Sequence, residues 1–178
     1  MAILKVARMG HPVLLSGSES VPVNWLDDPA NREFLQDMVD TIHEYGGVGL
    51  AAPQVHVPIR VAIIELAPNA RYPDAPTRPL TVLVNPTVLF RSPELDEDWE
   101  GCLSLPNLRG RVQRPARIEI ESMDGDGQVR KISAEGFFAR AIQHEIDHLD
   151  GRVFPTRMKD LSSLTYLEEF HRFHDRPS

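Results

Sequence analysis

Three features of the sequence predict an α+β fold. Apolar residues recur at helical spacing near both ends of the chain and again around residue 140, but alternate at strand spacing in between. Turn chemistry joins neighbouring strands without an intervening helix, and strict βα alternation is absent, so the sheets are expected to be antiparallel. The architecture that follows has antiparallel β-sheets packed around a central helix, with one helix before it and one after it. At 178 residues the chain is long enough to bury its own core, and residues 1–178 are expected to form a single domain.

The first helix is predicted over residues 28–45, with Pro29 in its first turn and Phe34, Leu35, Met38, Val39 and Ile42 on one face. Gly46 and Gly47 end it. A glycine-rich run over 47–54 leads into a strand over 60–66. The proline-rich stretch 68–79 then reads as a surface loop. Strands follow over 81–84, 87–90 and 117–123, where Ile118 and Ile120 alternate with Glu119 and Glu121. Asp124-Gly125-Asp126-Gly127 turns the chain back into a strand over 128–132. The central helix is predicted over 136–149 and the last over about 160–174, carrying Leu161, Leu164, Leu167, Phe170 and Phe173.

Composition narrows the function classes. No apolar run reaches the length of a membrane span, and the N-terminus matches neither a secretory signal nor a transit peptide, so the cytoplasm is the expected location. A net charge of −7 argues against general nucleic-acid binding and leaves room for a local basic patch that docks on the ribosome. Arg109, Arg111, Arg114 and Arg117 form the one notable basic cluster and read as solvated charges flanking a strand. The only cysteine, Cys102, cannot form an intramolecular disulfide.

The chemistry-bearing motif is His144-Glu145-Ile146-Asp147-His148. Residues four apart share one helix face, so both imidazoles can reach one metal while Glu145 stands beside it as a base. Ionisable groups in so apolar a helix are costly unless paired or bound. A hydrolytic site takes three protein ligands, and the third is open at this point. A metzincin would need His at position 154, where Phe154 stands. Glu168 has the spacing of a thermolysin-like ligand, and Cys102 is the competing donor.

Gly47-Val48-Gly49-Leu50-Ala51-Ala52-Pro53-Gln54, Glu100-Gly101-Cys102-Leu103-Ser104 and His144 to Gly151 together resemble, in that order, the three signature motifs of peptide deformylases. The resemblance implies that Cys102, His144 and His148 bind one divalent ion, usually Fe(II), with Zn, Ni or Co able to occupy the same ligands. It implies hydrolysis of the N-formyl group of formylmethionine on nascent peptides met at the ribosome near the exit tunnel. Glu145 is then general base and acid for a metal-activated water, while the Gln54 side chain and the Leu103 N–H stabilise the developing oxyanion.

Around that centre, Gly49 and Gly101 would lie against the peptide, with Val48, Phe137 and the helix near Ala141 as pocket walls. Gly47 and Gly49 would let a backbone edge approach an extended substrate. Read alone, the run is a tight turn after a helix, and it lacks the Gly-Lys-Ser/Thr ending of a nucleotide loop. Glu100 and Arg109 are expected to pair behind the Cys102 loop.

Overall fold

The computed structural model describes residues 2–69 and 75–174. The first helix, α1 (Pro29–Tyr45), begins where the Asp28 carboxylate accepts from the Ala30 N–H at 2.9 Å. It ends at Gly46, whose φ of 60° is left-handed, and the Gly47 N–H returns to Ile42 O at 2.8 Å. The strands in chain order are β1 (Gly49–Ala51), β2 (Val61–Leu66), β3 (Arg78–Arg91), β4 (Leu95–Cys102), β5 (Leu105–Pro115), β6 (Arg117–Met123), β7 (Val129–Glu135) and β8 (Thr165–Tyr166). Between β7 and β8 lies α2 (Gly136–Leu149), and α3 (Leu167–Phe173) follows β8.

Two antiparallel sheets result, one of five strands in the order β1-β2-β3-β6-β7 and one of three in the order β4-β5-β8. β2 is apolar on both sides because both sides are covered. Val61 and Ile63 pack with Leu35, Met38 and Ile42 of α1, whereas Ala62 and Ile64 pack with Ala139, Ile142 and Ile146 of α2. A third cluster unites Cys102, Leu105 and Val112 of the small sheet with Val153 and Phe154. α2 therefore has apolar neighbours on one side and the β4-β5 hairpin on the other. That enclosure buries every residue from Phe138 to Leu149 and explains why its polar groups need partners.

Several sequence expectations need correction. The strands expected over 81–84 and 87–90 are one strand, β3, with its register shifted between Val84 and Thr87. Asn85 makes the irregularity tolerable: its φ is 51°, and its side-chain amide both accepts from the Val21 N–H and donates to Val21 O. Of the expected loop over 68–79, residues 70–74 lie outside the described residues, and Pro79 already belongs to β3. The return strand after the Asp124 turn runs on to Glu135.

The helix expected from residue 160 starts only at Leu167. Asp160 caps a short 3-10 turn, and Thr165 and Tyr166 then pair with Arg109 and Leu108 to complete the small sheet. The β4-β5 hairpin was not anticipated, because β4 is rich in acids with low strand propensity.

Candidate metal centre

The β4-β5 hairpin reverses around Leu103 and Ser104, with Cys102 paired to Leu105, so the cysteine sits at the very end of β4. From the other side α2 presents His144 and His148 one turn apart. One donor atom from each of Cys102, His144 and His148 lies within 4.8 Å of the other two. Cys102 Sγ and His148 Nε2 are 3.2 Å apart. Burial alone would raise the Cys102 thiol, but His148 and His144 beside it hold it well below the usual thiol range. A buried thiolate facing two imidazoles suits a divalent cation of intermediate softness. His148 Nδ1 and Glu145 Oε2 are buried without a hydrogen-bond partner among the described residues.

Glu100 orients His144. Its Oε2 lies 2.9 Å from His144 Nδ1, a contact in which the Nδ1–H donates and Nε2 is left to face the sulfur. The carboxylate is itself clamped: Arg114 donates to both oxygens, at 2.6 and 2.9 Å, and Arg140 adds a bond of 2.8 Å. Although burial opposes it, Arg114 and His144 hold the Glu100 carboxyl well below the usual carboxylate range. Arg114 also reaches Asp147 at 2.8 Å, and Arg157 holds Asp147 from the solvent side.

The expected partner of Glu100 was Arg109, but Arg114 and Arg140 take that place. Arg109 is buried beneath Gly101, where a Cβ would overlap its guanidinium, and it lies 5.9 Å from the Phe170 ring centre. Of the four arginines read as solvated, Arg109 and Arg114 are buried, while Arg111 and Arg117 form exposed pairs with Glu97 and Glu94. Arg140 was missed altogether, and Asp147 was read as part of the motif without its arginine partners. An arginine inside an apolar helix was the available signal for the first.

Gln54 stands on the 3-10 turn that follows β1. Its Oε1 accepts from the Ala51 N–H at 2.8 Å, which aims Nε2 at Ser104 Oγ (3.1 Å) and Cys102 Sγ (3.4 Å). The Leu103 N–H has no acceptor among the described residues. Burial pushes the Glu145 carboxyl up to about 7, against the opposing pull of His144 and His148. Gly49 is packed against that side chain so closely that a Cβ would overlap Glu145 Oε1. The close approach at Gly49 is thus to Glu145.

The cavity in front of these groups is lined by Val48, Gly49, Gly101, Phe137 and Ala141, all expected from the sequence, and by Trp99, which was not. Trp99 is braced edge-to-face by Phe170 of α3 at 5.0 Å. Glu168, the competing third ligand, is exposed on the first turn of α3, outside the Cys102, His144 and His148 cluster.

A thiolate and two imidazoles converging on one point, with a buried carboxyl at its side, have the chemistry of a mononuclear metal-dependent hydrolase. The comparisons narrow this class to one family. The family model described as polypeptide deformylase matches residues 3–163, and the chain belongs to that family. Peptide deformylase 1 of Bordetella pertussis is 45% identical over 163 residues, which cover 92% of each chain. A solved class I type b peptide deformylase from Acinetobacter baumannii superposes with a TM-score of 0.87 at 38% identity, covering 89% of this chain and 100% of the other. The same enzyme bound to Met-Ala-Ser gives 0.85 at 39% identity, covering 88% and 99%. The chain is accordingly a metal-dependent hydrolase that removes the N-formyl group from nascent peptides. No helix among the described residues is long and apolar enough to cross a membrane.

Proposed function

We propose that residues 1–178 act as one catalytic unit in the cytoplasm, deformylating formylmethionine on peptides as they leave the ribosome. In this reading Cys102, His144 and His148 hold one divalent ion, Fe(II) in the cell, with Zn, Ni or Co able to take the same ligands. The carrying observation is the convergence of those three donors beside Glu145, whose Oε2 is buried without a partner among the described residues. Held there, the ion would supply Lewis acidity and make water a nucleophile near neutral pH.

Each remaining step belongs to a side chain. Glu145 takes a proton from the water that attacks the formyl carbon. Gln54 Nε2 and the Leu103 N–H donate to the formyl oxygen as charge gathers there. When the C–N bond breaks, Glu145 returns the proton to the departing amine, leaving formate and a free N-terminus. Glu100, held by Arg114 and Arg140, keeps His144 in the tautomer that offers Nε2. Arg109 supports Gly101 from below.

The formylmethionine side chain would occupy the cavity walled by Val48 and Phe137, with Gly49 and Gly101 along the peptide backbone. Binding of Met-Ala-Ser by the Acinetobacter relative fits a peptide that begins with methionine. The decisive variant is Glu145→Gln, assayed for metal content, formate release and binding of a formyl-Met peptide. Metal and peptide binding should survive while turnover falls by about 10²- to 10⁴-fold or more, since one group serves both proton transfers. Near-wild-type turnover with metal bound would remove Glu145 from the mechanism.

A further inference from the structure

The N-terminal segment is fastened by its backbone to Gln54 and to Ser104, the residue after Leu103. The Ala7 N–H donates to Gln54 O at 2.7 Å and the Met9 N–H to Ser104 O at 2.8 Å. Between and beside these anchors Lys5, Arg8 and His11 reach the surface. Together with Tyr45 and His56 they line a groove that also includes Leu103, a residue shared with the metal-facing cavity. No carboxylate among the described residues lines it. Neither Lys5 nor Arg8 enters an ion pair among the described residues, and the His11 and His56 rings meet edge-on at 4.7 Å.

This concentration of positive charge stands on a chain of net charge −7, where unpaired cations have little reason to gather unless something anionic meets them. Its position indicates what that is. β1 is an edge strand of the five-stranded sheet, so an extended peptide can pair along it. From Gly49 that edge leads back through Gly47, which lines the metal-facing cavity with Leu103, to Tyr45, which lines the groove with the same leucine. A chain held there by its first residue would run into the groove within a few residues, at about 3.4 Å each.

We infer that this groove is a charge-selective extension of the substrate site, with Lys5 and Arg8 favouring peptides that carry acidic side chains in the residues following the first two. The inference rests on the deformylase reading above. Because the cations are exposed, selection acts on capture rather than on the bond-breaking step.

The test uses the metal-loaded full chain and three peptides, formyl-Met-Ala followed by two Asp, two Ala or two Lys residues. At low salt KM should be about three- to tenfold lower for the Asp peptide than for the Lys peptide, with similar kcat, and the gap should close at about 0.5 M salt. The Lys5→Glu/Arg8→Glu variant should invert the order while cleaving formyl-Met-Ala as before. Equal KM values for all three wild-type reactions would overturn the groove and leave the deformylase reading intact. Failure to release formate from any peptide would overturn both. Salt-sensitive binding of single-stranded RNA, lost in the double variant and unaccompanied by peptide selectivity, would assign the groove to nucleic acid and overturn the inference.

Discussion

Gly49 shows how one missing atom can serve a reaction. Its backbone lies so close to Glu145 that a methyl group would occupy the space of Oε1. Gly49→Ala should therefore displace the carboxyl without touching a metal ligand. We expect metal content to be retained and kcat to fall by about 10-fold or more, since small misplacements of a reacting group are costly. Wild-type kcat in that variant would mean that Glu145 has room to move without consequence. The sequence indicated the glycine but suggested another purpose, because the neighbour that demands it lies nearly one hundred residues away. Arg109 and Arg114 repeat the point. As local text they are surface charges, and only the fold reveals that Gly101 covers one and that Glu100 and Asp147 enclose the other.

At the scale of elements, legibility followed the strength of local pattern. α2 was readable over its full length, Gly136–Leu149, because apolar periodicity and the HExxH spacing coincide on it. The β4-β5 hairpin was not readable: its acidic first strand, Leu95–Cys102, is stabilised by pairing and by the arginines it receives. Those arginines also join the hairpin to α2, since Arg114 spans Glu100 on β4 and Asp147 on the helix. Arg114→Met would leave two buried carboxylates short of a partner, a change that typically costs about 3–5 kcal/mol. A urea midpoint well below that of the wild type is expected in the metal-free protein, where the effect cannot come from lost metal. An unchanged midpoint would show that Arg140 and Arg157 suffice to hold Glu100 and Asp147.

Across the whole molecule, the metal donors come from two different layers. His144 and His148 ride on α2, one face of which packs against the five-stranded sheet, whereas Cys102 ends a strand of the small sheet. An ion bound by all three would therefore clip the small sheet to the rest of the protein. Without it, the tip of the hairpin keeps its apolar contact with Val153 and Phe154 and the hydrogen bonds from Gln54 and the N-terminal segment, while Glu100, Arg114 and Arg140 continue to tie the strands farther back. The five-stranded sheet has its own core on both faces and needs no such clip. Amide hydrogen exchange on chelated and metal-loaded protein should accordingly show lost protection concentrated around residues 100–108, with β2, β3 and β6 exchanging alike in both forms. A uniform loss through both sheets would mean that they unfold as one cooperative unit, with the metal contributing to global stability rather than fastening one layer.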